Sequence, residues 1–325
     1  MGAGYFMDKA TYVTMMRCLT MATPPSTEHP TMQMIGPYGE GTYRGKDMYA
    51  YKVGNVDSDA HVVVASGLHG WEDAGDILGL AAALEIMGSS IISDASLREL
   101  FDGSGDACLI LIPAINRDRD GVDYSYERCN THTGAFPNGC SVGVDLNKNF
   151  DHGWSDIVAE CDAANGKWFK GTSVHSEPET DSLRTLLTSG ILGSDHDVFI
   201  DVHYGGNGYG AGYEDRIEAR SFYHGTVSKF DAWIAECDAR CTAEGADHLL
   251  DAGSTVHEGR LVSYAWDATS ADIAALCEVG TYSDQGCYPH TSHKMKEFMW
   301  DGWAYKTYRA MLIASAKYAL GQVDH

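Results

Sequence analysis

The chain has 325 residues, of which 46 are Asp or Glu and 23 are Lys or Arg, giving a formal net charge of −23. So acidic a surface repels phosphates, which excludes nucleic acid as a partner. Hydrophobic residues at 44% and charged residues at 21% exclude a disordered chain, and no run approaches the ~20 apolar residues of a membrane span. One domain over residues 1–325 is the simplest division. The first twenty residues lack a basic stretch followed by an apolar run, so no signal peptide is recognised and a cytoplasmic location is expected. Nine cysteines, an odd number without a dense framework, point to reduced thiols.

Four short apolar runs read as buried strands: His61–Ser66, Leu109–Ile115, Val198–His203 and Ala274–Val279. Helical patterns lie between and after them, at Asp73–Met87, Glu177–Leu187, Arg220–Glu244 and Lys294–Leu320. The alternation predicts an α/β domain with a mixed or parallel sheet. Segments 117–145, 151–175 and 204–219 are rich in Gly and Asn and read as long loops, a length that favours functional use.

The local chemistry begins at Gly67-Leu68-His69-Gly70-Trp71-Glu72, between the first strand and a helix. His69 and Glu72 are three apart in a turn, where an imidazole and a carboxylate can converge on one point. That pair suits zinc, which requires a third protein ligand and an open fourth position for catalysis. An isolated H-x-x-E is weak support, because most such pairs are ordinary loop residues. His203 strengthens it: the residue ends a core strand, where open α/β sheets place their ligands. Glu278 lies in the apolar run Leu276-Cys277-Glu278-Val279-Gly280, a costly place for a carboxylate without a purpose or a partner. A structural salt bridge and a general base are both open to it; a nearby zinc favours the base.

Six blocks in order then resemble the zinc carboxypeptidase (M14, funnelin) family. Tyr43-Arg44-Gly45-Lys46-Asp47 resembles its early "EGR-D" turn, and His69-Gly70-Trp71-Glu72 its H-x-x-E. Asn116-Arg117-Asp118-Arg119-Asp120-Gly121 resembles a loosened "NPDG". Val144-Asp145-Leu146-Asn147-Lys148-Asn149-Phe150 resembles "VDLNRNF". Ser176-Glu177-Pro178-Glu179-Thr180 matches "SEPET", and Ile200-Asp201-Val202-His203 carries the last ligand, followed by Glu278.

The resemblance implies an α/β fold with a mixed, mostly parallel, twisted eight-stranded sheet and helices on both faces. It implies a first helix at Lys9–Met21 with no propeptide. It implies one zinc ion per chain held by His69, Glu72 and His203, with Glu278 as general base, and removal of the C-terminal residue of a peptide. Arg128, in Tyr126-Glu127-Arg128-Cys129, is the candidate oxyanion donor, with Arg117 and Arg119 as rivals. Asp145 is expected to orient His69 through its other ring nitrogen. Asn147 and Lys148 hold the place of an Asn-Arg pair that grips the substrate's terminal carboxylate. Lys148 is a departure, since lysine offers a point charge in place of a planar fork. Tyr264 is the candidate for a substrate-covering tyrosine, with His257 as a second; Val262 and Ser263 are candidates for the pocket floor.

A peptide or small amide substrate follows, without membrane or obligate protein partner. Other readings are an N-acyl amino acid deacylase of the aspartoacylase or succinylglutamate desuccinylase kind, a cell-wall peptide or isopeptide hydrolase, and an inactive binding module. "SEPET" and the early turn favour the peptidase. Retention of His69, Glu72, His203 and Glu278 disfavours the inactive module.

Overall fold

The computed structural model describes residues 9–22, 31–70, 72, 74–88, 96–101, 107–119, 128–132, 143–157, 168–189, 197–206, 218–220, 227–246, 259–269, 271–281 and 303–324. Their strands are β1 (Thr31–Ile35), β2 (Ala50–Gly54), β3 (His61–Ser66), β4 (Cys108–Ile112), β5 (Val198–Gly206), β6 (Glu218–Arg220) and β7 (Ile273–Thr281). They form one sheet in the order β1-β2-β4-β3-β5-β7-β6. The helices are α1 (Lys9–Ala22), α2 (Ala74–Ile86), α3 (Ser96–Phe101), α4 (Pro178–Thr188), α5 (Val227–Glu244), α6 (Leu261–Thr269) and α7 (Trp303–Ala319).

The expected mixed α/β sheet with helices on both faces is present, while eight strands with a parallel majority are not found among the described residues. Among the described residues there are seven, and the pairings divide evenly. The centre β4-β3-β5-β7 is parallel. Strands β1 and β2 continue it antiparallel on one side, and β6 adds antiparallel on the other. The parallel centre matches the four apolar runs seen in the sequence. Parallel strands buried on both faces read as continuous hydrophobic stretches, whereas β1 mixes a glutamine among its apolar residues and β6 is only Glu-Ala-Arg. Arg220 belongs to β6, so the helix expected from Arg220 starts instead at Val227. The strand expected to reach Ile115 stops at Ile112. Pro113 removes a ladder donor there, and Ala114 takes a left-handed φ of 52°. Residues 294–302 of the expected last helix lie outside the described residues, as does Asp73.

Side chains alternate across the sheet, and each face has its own core. Val62, Val64, Leu109, Leu111, Ile200 and Val202 pack with residues of α2, α5 and α7. Val63, Ala65, Ile110, Ile112, Phe199 and Leu276 pack with residues of α4 and α6. Helices therefore cover both faces, which leaves the strand ends as the place for a site.

Motifs far apart in sequence meet at the start of α4. Pro178 occupies its first turn, where its missing N–H costs nothing. Asn149 Oδ1 accepts from the Glu177 backbone N–H (3.2 Å) and the Thr180 hydroxyl (2.6 Å). Glu179 is fully buried and accepts from the Tyr43 backbone N–H (3.0 Å) and Asn130 Nδ2 (3.2 Å). Asn130 Nδ2 also donates to Glu177 Oε2 at 2.7 Å. Asp118 accepts from the Thr42 hydroxyl (2.8 Å) and the Arg44 backbone N–H (2.7 Å). The early turn, the "NPDG"-like turn and the "SEPET" block are thus one polar cluster.

Burial of the Glu179 carboxyl raises its pKa from 4.5 to about 7, despite the hydrogen bonds that oppose the rise. The folded chain therefore holds this proton more tightly than the unfolded chain. The resulting stability is complete below about 4.5 and is lost as pH rises through about 7. Glu179→Gln is expected to flatten the fall in melting temperature across this window. The effect is bounded at about 3 kcal/mol by the size of the shift. Thermal melts at closely spaced pH values check this; parallel curves for the two proteins would overturn it.

Candidate active site

The first two candidate ligands stand in a turn that only glycine can open. Gly67, directly after β3, has a φ of 69°, and a Cβ there would sit 3.0 Å from Ala114 Cα. The turn closes with the Glu72 backbone N–H donating to the His69 carbonyl at 3.1 Å. The side chains converge: His69 Nδ1 lies 2.7 Å from Glu72 Oε1. His203 lies within β5, which runs on to Gly206 instead of ending at His203 as expected, and whose parallel register with β3 pairs Ser66 with Val202. Its Nδ1 lies 2.7 Å from Glu72 Oε2 and 3.2 Å from His69 Nδ1. All three residues are buried, and one ligand atom from each falls within 4.8 Å of the others.

This donor set fits zinc. Two imidazole nitrogens and a carboxylate are one of its usual catalytic ligand sets, and three protein ligands leave a position open. Ligand atoms ~2.0–2.1 Å from a tetrahedral zinc stand about 3.3 Å from one another, close to the spacing found here. The surroundings fit a cation as well, since the buried carboxylates of Glu72, Asp145 and Asp201 face these histidines. Burial alone would raise the Glu72 pKa, but His69 and then His203 hold it below the usual carboxylate range. Burial alone would lower that of His203, but Asp201 and then Glu72 push it well above the ordinary imidazole value.

The outer ring nitrogens are also held. His69 Nε2 lies 3.3 Å from Asp145 Oδ1, and His203 Nε2 lies 3.0 Å from Asp201 Oδ2. Such carboxylates fix the tautomer that leaves Nδ1 free for a metal. Asp201 is a partner that the sequence analysis does not assign. The signal was present: residues i and i+2 of a strand share a face, so D-x-H puts the carboxylate beside the imidazole. Asp201→Asn is expected to weaken zinc affinity by about 10–100-fold, read by titration against a competing chelator. Unchanged affinity would show that His203 needs no such partner.

Asp145 is a hub. It accepts from Arg128 Nε at 2.9 Å and from the Asn147 backbone N–H at 3.1 Å, and its own backbone N–H donates to the Phe169 carbonyl at 2.8 Å. Burial opposes the lowering of its pKa, which Arg128 and then His69 bring about. Arg128 also lies over Trp168, with its guanidinium carbon 4.4 Å from the ring centre. Lys148 Nζ lies 5.3 Å from the centre of the same ring. Cation–aromatic contacts of this kind contribute ~0.5–1 kcal/mol when exposed. Trp168 was not singled out from the sequence; its two cations come from other loops, and no local pattern announces the meeting.

Asn147 is 3% exposed, and its Oδ1 accepts from the Leu261 backbone N–H at 3.0 Å. Its Nδ2 is 3.3 Å from His203 Nε2. When His203 presents Nδ1 to a metal, Nε2 carries the proton and donates to Asp201, so it cannot accept from Asn147. Of the rival cations, Arg117 Nη1 donates to the Asp47 carbonyl at 3.1 Å, and the Arg119 side chain lies outside the described residues. Tyr264 is 8% exposed in α6, and its ring packs on Phe150 (5.6 Å) and His175 (4.9 Å) rather than on His69, Glu72 or His203. Val262 and Ser263 are buried in the same helix, and His257 lies outside the described residues. Glu278 occupies the register position opposite His203 in the β5–β7 ladder; its side chain lies outside the described ones.

The sequence profile described as zinc carboxypeptidase matches residues 26–310. The chain belongs to the zinc carboxypeptidase family. Solved structures share its fold. Bovine thrombin-activatable fibrinolysis inhibitor, in complex with tick carboxypeptidase inhibitor, superposes with a TM-score of 0.65 at 16% identity, covering 96% of both chains. Carboxypeptidase A from Helicoverpa armigera gives 0.62 at 16% identity, covering 95% of this chain and 80% of that one. A metallo-carboxypeptidase from Burkholderia cenocepacia gives 0.60 at 14% identity, covering 97% of this chain and 70% of that one. As a member of this family the chain is a metallocarboxypeptidase, and the deacylase reading is not favoured.

Proposed function

We propose that the chain removes single residues from the free C-terminus of peptides, using one zinc ion held by His69, Glu72 and His203. The observation that carries this reading is the convergence of both Nδ1 atoms and the Glu72 carboxylate, from the turn after β3 and from the carboxyl-terminal half of β5. When bound there, zinc polarises a carbonyl and lowers the pKa of a water. Glu278 takes the proton of the attacking water and passes it to the departing amide nitrogen as the C–N bond breaks. The opposite pairing with His203 supports this role for Glu278. Arg128 offers positive charge to the oxygen that becomes negative as water adds. Its Nε is engaged by Asp145, which fixes the fork's orientation in advance. The Asn147 amide hydrogens and Lys148 receive the substrate's terminal carboxylate. Asp145 and Asp201 hold the two histidines in the metal-binding tautomer.

The test is a mass-spectrometric digest of a mixed library of free-ended peptides by the zinc-loaded protein, with a chelated control. Chelator-sensitive loss of single C-terminal residues is expected, and the residues lost map the side-chain preference. No cleavage of any member would overturn the reading.

A further inference from the structure

We propose that Trp168 is a positioning residue that fixes the spacing of Arg128 and Lys148, and so makes the site read a peptide's last residue. This rests on the exopeptidase reading above. An enzyme that releases one residue must hold two groups at once, the scissile carbonyl and the terminal carboxylate. They are separated by a single residue, ~3.8 Å from one Cα to the next. Two cations at a fixed separation recognise that pair, whereas two that move independently do not. Arg128 is already oriented by Asp145. Lys148 has a flexible four-carbon stem and a point charge, so its position depends on what it packs against. One indole meets both, 4.4 Å from the Arg128 guanidinium carbon and 5.3 Å from Lys148 Nζ. Among aromatic side chains, indole is the strongest partner for a cation.

The backbone that follows the indole is held by hydrogen bonds. The adjoining Phe169 carbonyl accepts from the Asp145 backbone, and Phe169 is buried. The Lys170 carbonyl accepts from Asn149 Nδ2 (2.8 Å) and Trp154 Nε1 (3.1 Å). Lys170 Nζ returns to the carbonyls of Trp154 (2.9 Å) and Ile157 (2.6 Å). Trp168, Arg128 and Lys148 are each partly exposed, while the three metal-site residues are buried. One ring and two cations thus share a partly exposed position, linked to the metal site through the Arg128–Asp145 contact.

The experiment compares kcat/KM for one peptide ending in a carboxylate with that for the same peptide ending in a carboxamide. It uses the zinc-loaded wild type, Trp168→Ala, Trp168→Leu and Trp168→Tyr, with metal content and melting temperature measured for each. Loss of the ring is expected to lower the acid-over-amide ratio by about ten-fold or more, mainly through KM, in both the Ala and Leu variants. Tyrosine should hold the ratio within about threefold of wild type, since it keeps an aromatic face. The Ala variant should also release dipeptides. If the Ala variant does not fold, the Leu and Tyr pair decides. An unchanged ratio in Leu, or an equal fall in Leu and Tyr, would overturn the proposal while leaving the exopeptidase reading intact. A wild type that cleaves neither peptide would overturn both, before any variant is compared.

Discussion

Glu278→Gln should give a folded chain that binds zinc as the wild type does but turns over about 10²–10⁴-fold more slowly. Glutamine keeps the shape and polarity of the side chain and removes its capacity to take a proton. The loss should fall on kcat, with KM nearly unchanged, because the substrate's two anchoring groups are held by other residues. Steady-state kinetics together with metal analysis separate the two quantities. A rate within ten-fold of wild type at full zinc content would place the general base elsewhere. A loss of zinc in step with the rate would make Glu278 a structural residue, the alternative that its apolar strand leaves open.

Glu72→Ala should abolish activity by a different route, through loss of the metal. Both imidazoles meet Glu72 at 2.7 Å, so its removal takes away one zinc ligand and the contact that organises the other two. The fall in zinc affinity should exceed the ~10–100-fold expected for losing a partner of a ligand. Melting curves offer an independent reading. Zinc at 100 times its dissociation constant stabilises a chain by ~2.7 kcal/mol, so a chelator should lower the wild-type melting temperature. The variant should melt alike with and without chelator. A variant that still responds to chelator and holds stoichiometric zinc would remove Glu72 from the ligand set.

The parallel centre of the sheet was legible because strands buried on both faces must be apolar throughout, and Val62–Val64, Leu109–Ile112 and Val198–Ile200 are. The antiparallel margins were not. β1 carries Gln33, β2 carries Lys52, and β6 has three residues, so none presents an apolar run. The placement of His69, Glu72 and His203 was legible for a geometric reason: strand ends and tight turns fix where a side chain can go. Arg128 was legible as a basic residue near the site, but its contact with Asp145 was not, because it joins two separate loops. Trp168 was missed for the same reason, since its contacts with Arg128 and Lys148 exist only once three loops have folded together. Tyr264 stood where a family pattern drew attention, and its ring packs on Phe150 and His175, contacts that no local pattern announces.

Asp145 touches a metal-site histidine with one oxygen and Arg128 with the other. With zinc and substrate bound as proposed, a single buried carboxylate would take part in two binding events, and a shift that favours one would be felt at the other. Thermodynamic reciprocity follows: if zinc tightens the binding of a carboxylate-ended ligand by some factor, that ligand tightens zinc by the same factor. Couplings of this kind commonly amount to ~1–3 kcal/mol. A non-hydrolysed peptide analogue should accordingly protect the enzyme against a chelator, and Asp145→Asn should uncouple the two affinities even where each survives. Substrate at the site would then help to retain the metal that consumes it, so the enzyme would be most resistant to metal loss while it is working.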